Sequence, residues 1–316
     1  MPFTIDVHHH ILPDFFWRET NEADHPVGGI TPPPWSPEMM LSFMDEASID
    51  VAITSISTPG VHMGNDLRAR SLARRSNEFS ADLIRAHPRC LGGFACLPIP
   101  DVDGALEEVR YSLDTLKLDG VVVFTNTHGM YLGDRRLEPL FAELERRKAV
   151  VFVHPTASPD RMFHDLGLPD SLIDFPTDTT RAIAHLHYSN RFARTPNVKY
   201  IFSHAGGSIP YLAGRFAIID EMRAIPGHDE RGDASDTFRR LYWDTALAWS
   251  DSVLRCLQSV VTTERVLCGT DHPYIRRDIG IRSTRDLRIT SELDPRGRQL
   301  VSSGNALRLF PRFALA

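Results

Sequence analysis

Cysteine is scarce in this chain of 316 residues, where only Cys90, Cys96, Cys256 and Cys268 occur. Their spacing builds neither a zinc ribbon nor a disulfide scaffold. Cys96 and Cys268 fall inside apolar runs, where cysteine serves as a small buried hydrophobe. Long apolar runs are missing as well. No stretch of 18 apolar residues could span a bilayer, and the start of the chain lacks the basic segment and apolar core of a signal peptide. Positive charge is not in excess either: 35 Lys and Arg face 41 Asp and Glu, a formal net charge of −6. That balance argues against a general nucleic-acid or anionic-membrane surface. These absences predict a soluble, cytoplasmic enzyme that acts on a small molecule.

What the chain does have is a recurring pattern. Four apolar runs, far apart, each end in a metal-binding side chain: Ile5-Asp6-Val7-His8-His9-His10, Val150-Val151-Phe152-Val153-His154, Tyr200-Ile201-Phe202-Ser203-His204 and Val266-Leu267-Cys268-Gly269-Thr270-Asp271. Runs of this length, rich in Val, Ile and Phe, read as buried parallel strands. A ligand type at the C-terminal end of each gathers all four at one mouth of a parallel barrel, where such folds keep their chemistry.

Strands are expected over 3–8, 51–57, 91–97, 119–124, 150–154, 198–203, 241–244 and 266–270. Helices are expected over 37–48, 66–87, 102–116, 137–148, 178–193, 208–223, 250–261 and 295–309. In 102–116, for example, Val102, Leu106, Val109, Leu113 and Leu116 line one face. Strict alternation of the two element types favours a (β/α)8 TIM barrel over an open sheet. The 146 residues between His8 and His154 give about 36 per unit across four units, close to ordinary barrel spacing with modest insertions. No linker or repeat divides residues 1–316, so one domain is expected. Two connections on the catalytic side are long. Residues 11–36 hold Phe15, Phe16, Trp17 and Trp35, and residues 155–176 hold Met162, Phe163, Leu168 and Phe175. They are read either as lids giving a planar substrate apolar walls, with Trp17 and Phe175 as contacts, or as loops packed on the rim.

His8 and His10 are two apart on a strand, so both leave the same face and reach one ion, while His9 points away. The same spacing in His185 and His187 falls on a helix and sends the rings to different sides. His154 precedes Pro155, which ends its strand. Asp271 closes an apolar stretch, where a carboxylate is costly to bury unless paired or metal-bound. Three imidazoles and one carboxylate suit Zn2+ and tolerate Mn2+. His204, ahead of Ala205-Gly206-Gly207, is either a fourth imidazole or an acid/base beside the metal. The chain has only three lysines, Lys117, Lys148 and Lys199, none of which ends a strand. The fourth strand ends in Thr125-Asn126, with nothing to bridge a second ion, so one divalent ion per chain is expected.

Together these motifs resemble the amidohydrolase superfamily, and specifically its branch around aminocarboxymuconate semialdehyde decarboxylase. The likeness covers nearly the whole chain. It rests on Asp6, His8 and His10; Trp35-Ser36-Pro37-Glu38 with Met44-Asp45; Thr125-Asn126 with Gly129, Leu132-Gly133-Asp134 and Leu137; His154-Pro155; His204-Ala205-Gly206-Gly207; and Gly269-Thr270-Asp271-His272-Pro273. The pairing of Gly29-Ile30-Thr31-Pro32 with Ser57-Thr58-Pro59-Gly60 is most similar to the 6-methylsalicylate decarboxylase group. The resemblance implies an amidohydrolase-type barrel with a mononuclear metal. It also implies loss of CO2 from an unsaturated or aromatic acid, such as a substituted salicylate, with no organic cofactor. Carried over by motif, His8, His10, His154 and Asp271 are ligands and His204 lies beside the metal. Arg215, eleven residues after His204, matches an arginine that reaches a neighbouring subunit's site and implies a homodimer. Met40 stands where the semialdehyde decarboxylases carry another substrate-gripping arginine, which favours a monocarboxylate with an apolar ring. Tyr274 and Trp249 are either ring contacts or core packing.

Decarboxylation leaves electron density on carbon, so that carbon must be protonated or its carbanion stabilised. Asp271 is expected to protonate the ring carbon while His204 hydrogen-bonds the phenol or carboxylate. The alternative is a hydrolase of a lactone or amide, with a metal-bound water of pKa about 7 and Asp271 as base.

Overall fold

The eight expected apolar runs pair side by side as parallel strands in a computed structural model that describes residues 3–20, 31–159 and 167–315. They are β1 (Ile5–His10), β2 (Val51–Ser55), β3 (Leu91–Cys96), β4 (Gly120–Phe124), β5 (Val150–His154), β6 (Lys199–Phe202), β7 (Tyr242–Asp244) and β8 (Val266–Leu267), in sheet order as in sequence. Gly29, Ile30, Met162 and Phe163, which figured in the sequence reading, lie outside the described residues.

Closure back to β1 runs past the two paired residues of β8. Val7 N–H donates to the Cys268 carbonyl at 2.9 Å, Asp271 N–H to the His8 carbonyl at 2.8 Å and His10 N–H to the His272 carbonyl at 2.7 Å. The result is the expected (β/α)8 barrel, and it brings both ends of the chain's ligand set together. Alternation along the strands sorts two cores. Phe152, Ile201 and Leu267 pack with Phe94 and Val122 in one, while Val151, Val153, Phe202 and Trp243 pack with helix residues such as Phe141 and Leu186 in the other. Each such side chain contributes about 1.5–3 kcal/mol on burial, so both strand faces stabilise the sheet.

The helices used below are α1 (Asp14–Thr20), α2 (Pro37–Ala47), α3 (Asp66–Ala86), α4 (Val102–Arg110), α5 (Glu138–Arg147), α6 (Asp174–Tyr188), α7 (Ile209–Glu221), α8 (Asp251–Gln258) and α9 (Arg277–Ile289). Local chemistry explains their ends. Ser36 caps α2 by accepting from Met39 N–H at 3.2 Å with Pro37 in the first turn, and Asn65 caps α3 from Arg68 N–H at 3.0 Å. Such caps are worth about 1 kcal/mol each. Departures from the sequence reading also have causes. α1 lies where the sequence pattern predicts a loop, because seven residues after Pro13 are too few to show a helical period. α9 has no helical apolar period because its buried stripe is small or polar at Gly280, Ser283 and Thr284 and carries a large apolar side chain only at Leu287. Small residues are needed there, since a Cβ on Gly280 would come within 2.8 Å of the Phe43 ring. The helices expected over 102–116 and 295–309 wind as π-helix at Tyr111–Thr115 and Leu300–Gly304. No described helix is long and apolar enough to cross a membrane.

Candidate metal centre

β1 delivers two imidazoles to the barrel mouth. The register between β1 and β2 shifts between Asp6 and His9, which marks a bulge. The extra residue brings Asp6 and His9 together, three positions apart, with His9 Nδ1 2.9 Å from Asp6 Oδ2. Asp6 also accepts from His8 N–H at 3.0 Å, Thr270 N–H at 3.1 Å and the Thr270 hydroxyl at 2.5 Å, which locks β1 to the segment carrying Asp271. His9 faces Phe43 and His272, and His8 and His10 face the mouth, as their alternation predicts.

The ligand atoms of His8, His154, His204 and Asp271 all lie within 4.8 Å of one another. His10 joins them on one side: its Nε2 is 3.1 Å from His8 Nε2 and 3.2 Å from Asp271 Oδ1. Asp271 divides its oxygens. Oδ1 faces His8 Nε2 and His10 Nε2, both at 3.2 Å, and Oδ2 faces His204 Nε2 at 3.5 Å. The five residues expected as ligands or acid/base, His8, His10, His154, His204 and Asp271, therefore converge.

Two of them occupy left-handed backbone, His204 at φ 53° and Asp271 at φ 66°. Such a conformation costs about 1–2 kcal/mol for a residue with a side chain, and both are held by hydrogen bonds. His204 N–H donates to Asp244 Oδ1 at 2.9 Å, and Asp271 N–H to the His8 carbonyl at 2.8 Å. Gly206 follows in the same region, at φ +70°, because a Cβ there would lie 2.0 Å from Trp243 Cζ3. The glycines after His204 thus serve the turn that aims it.

The donor set fits a divalent cation. His8 Nδ1 lies 2.8 Å from Asp244 Oδ2, His154 Nδ1 2.8 Å from the Pro155 carbonyl, and His10 Nδ1 3.2 Å from the Ser55 hydroxyl and 3.4 Å from its carbonyl. Carboxylate and carbonyl acceptors put the protons of His8 and His154 on Nδ1 and turn the Nε2 lone pairs toward a shared point. Electrostatics agrees. Burial pushes the His8 imidazole down, but Asp244 and Asp271 outweigh it and lift its pKa to about 10. Burial and the neighbouring rings hold His154 well below its ordinary range, and burial lowers His10 despite Asp271. Burial opposes the charge of Asp271, yet His8, His10 and His204 keep it well below the usual carboxylate range. The site holds an ionised Asp271, the neutral rings of His10 and His154, and a His8 that its two carboxylates favour in the charged form, so it is a place that calls for positive charge.

The remaining predicted residues are placed less uniformly. Tyr274 packs edge-on to His10 with ring centroids 5.5 Å apart, beside the ligands. Phe175 is buried in the first turn of α6, and Trp17 is half-buried on α1 beside Phe16. No described contact joins either to the ligands. Trp249 packs against the helix-side core, and no described contact joins it to the ligands. Met40 is fully buried, and Arg215 is exposed on α7. Sequence reasoning missed Asp244 and the wall formed by Phe152, whose ring lies 5.0 Å from His8 and 6.0 Å from His154. The signal for Asp244 was present: Tyr242-Trp243-Asp244 is another apolar run ending in a carboxylate.

Residues 5–312 match the model of the Amidohydrolase family, and the chain belongs to that family. The 6-methylsalicylic acid decarboxylase acuB of Aspergillus aculeatus is 36% identical over 323 residues, covering 99% of this chain and 97% of that protein. A crystal structure of an amidohydrolase II superposes with a TM-score of 0.91 at 31% identity, over 98% of this chain and 99% of the other. A dihydroxybenzoic acid decarboxylase from Polaromonas sp. JS666, with bound manganese and the inhibitor 2-nitroresorcinol, shares the fold at a TM-score of 0.82 and 22% identity, over 98% and 97% of the two chains. Within the family the chain falls in the semialdehyde decarboxylase-like branch and is a carboxy-lyase.

Proposed function

We propose that this protein releases CO2 from a small aromatic acid bearing a hydroxyl ortho to the carboxylate, such as a substituted salicylate. The observation that carries the proposal is the division of Asp271, with one oxygen among the Nε2 atoms of His8 and His10 and the other toward His204. His8, His10, His154 and Asp271 Oδ1 would hold one divalent ion. Zinc is assigned first on the three imidazoles and one carboxylate, and manganese, bound in the Polaromonas structure, is the alternative that metal analysis would decide. When bound, the ion supplies positive charge against which a carboxylate and its neighbouring hydroxyl are oriented. Asp271 Oδ2 and His204 Nε2 then hold the proton that the ring carbon takes up as CO2 leaves, with His204 hydrogen-bonding the phenol. Tyr274 and Phe152 supply apolar ring surface, and Trp17 and Phe175 belong to the elements that flank the mouth. The buried Met40 brings no cation to the substrate, which fits a monocarboxylate. The four free cysteines fit a reducing compartment, and we place the protein in the cytoplasm.

The assay is CO2 release from a panel of substituted salicylates with added Zn2+ or Mn2+. Turnover of 6-methylsalicylate and its analogues is expected; acid release from lactones without CO2 from any ring acid would refute the reading.

The proposal includes a homodimer in which Arg215 reaches the site of a second copy. Its support is α7 with its C-cap, which present Tyr211, Ile218 and Met222 at 84%, 57% and 67% exposure on the same face as Arg215. Arg215→Ala should raise KM with metal still bound. Mixing Arg215→Ala chains with His204→Asn chains should regenerate activity above either parent, because one site of each hybrid keeps both residues. Verified subunit exchange that yields only the average of the parents would exclude the shared site.

A further inference from the structure

We infer that Asp244 is a positioning residue that couples the metal ligand His8 to the acid/base residue His204. The inference rests on the metal reading above. Asp244 ends β7, is fully buried and stands outside the ring of ligand atoms. Its two oxygens serve two different site residues. Oδ2 lies 2.8 Å from His8 Nδ1, and Oδ1 accepts the backbone N–H of His204 at 2.9 Å. Oδ1 also accepts Ala246 N–H at 2.9 Å, which fixes the carboxylate plane from its own strand end.

The two contacts do different work. An imidazole carries its proton on either nitrogen, and a carboxylate at Nδ1 keeps it there, so that Nε2 offers a lone pair to an ion. The His204 N–H contact is charge-assisted and offsets the cost of a left-handed histidine at φ 53°. His10 and His154 are oriented by Ser55 and by the Pro155 carbonyl, both neutral. Asp244 is the charged acceptor among these, and it alone also bonds a second site residue among the described residues. It has little room to turn. A Cβ on Gly269 would lie 2.9 Å from His8 Cβ and 3.2 Å from Asp244 Cβ and Cγ, so three strand ends are pressed together there. The distance between ligand and proton donor is thereby set by one rigid group.

Asp244→Asn tests this, because an amide of the same size offers one acceptor and one donor where the site uses two acceptors. With its NH2 toward His8, the imidazole proton moves to Nε2, and affinity for Zn2+ or Mn2+, measured by chelator competition, falls about 10–100-fold. With its NH2 toward the two backbone N–H groups, affinity is kept but His204 loses its anchor. Then kcat of the metal-saturated enzyme falls about 10²-fold or more with little change in KM. Either result, with the metal-free melting temperature near wild type, supports the inference. Wild-type values of both affinity and kcat overturn it. If the variant does not fold, the wild-type chain decides: metal-loaded protein with 15N-labelled histidine should show a slowly exchanging Nδ1 proton on His8, and its absence overturns the inference. Failure of the wild-type chain to bind either ion would instead overturn the metal reading.

Discussion

Replacing His204 by Asn isolates the chemistry of its ring. The backbone there is left-handed at φ 53°, and Asn is among the few residues that enter this region readily. The turn should survive, since its N–H still reaches Asp244 Oδ1. His204 Nδ1 has no hydrogen-bond partner among the described residues, so nothing is lost on that side of the ring. Stability should therefore change by less than about 1 kcal/mol. Turnover should not be spared. Loss of a positioned acid/base typically costs 10²–10⁴-fold, or about 2.7–5.4 kcal/mol of barrier at 1.36 kcal/mol per tenfold. The assay combines CO2 release, metal content and thermal melting on one preparation. Near-normal turnover would refute a catalytic His204. Loss of metal together with turnover would make it a ligand in place of a proton donor, completing the compact group with His8, His154 and Asp271.

Other substitutions probe the scaffold. His8→Ala should lose metal and activity together, measured by metal analysis and CO2 release. His9→Ala should keep metal, because its ring faces Phe43, yet should lower stability by about 1–3 kcal/mol by removing a donor from the buried Asp6 carboxylate. Gly206→Ala should cost about 2–4 kcal/mol in chemical denaturation, since its Cβ would meet Trp243 at 2.0 Å in left-handed backbone.

Legibility followed the physics of each element. Strands were readable because both faces are buried, so Val150–His154 and its counterparts appear as continuous apolar runs that stop at the mouth. The ligands were readable for the same reason, since a polar side chain ending such a run needs a partner. β8 was overestimated: Cys268, Gly269 and Thr270 continue the apolar pattern but spend their hydrogen bonds on Val301, Thr245 and Asp6. α9 was invisible because close helix packing on Phe43 selects small residues, which carry no hydropathy signal. The bulge in β1 was also hidden, since an inserted residue leaves the Asp6, His8, His10 spacing intact in sequence while changing which face Asp6 takes. Asp244 is legible as the carboxylate closing Tyr242-Trp243-Asp244, but so short a run carries a weaker signal than the longer ones that end in His154 or Asp271.

The charge of the site bears on the proposed homodimer. Asp244 and Asp271 flank His8 from opposite sides of its ring, and among the described residues neither has an Arg or Lys partner. One divalent cation balances these two carboxylates and no more. A substrate carboxylate entering the mouth adds a further negative charge in a setting where water is largely excluded and Coulomb interactions are strong. The proton held between Asp271 and His204 offsets that charge until it is spent on carbon, and an added cation at the mouth would hold the carboxylate without being consumed. Met40 is apolar and buried, and Arg215 points to solvent from α7 of its own chain. In the proposed homodimer, Arg215 from the exposed α7 face of a second copy would supply that cation without placing an unpaired charge inside the free barrel, where its desolvation would be costly. The acid/base pair at the edge of the ligand set faces the mouth: its proton goes to carbon as neutral CO2 departs, and the pair regains its starting charge by taking one proton from water.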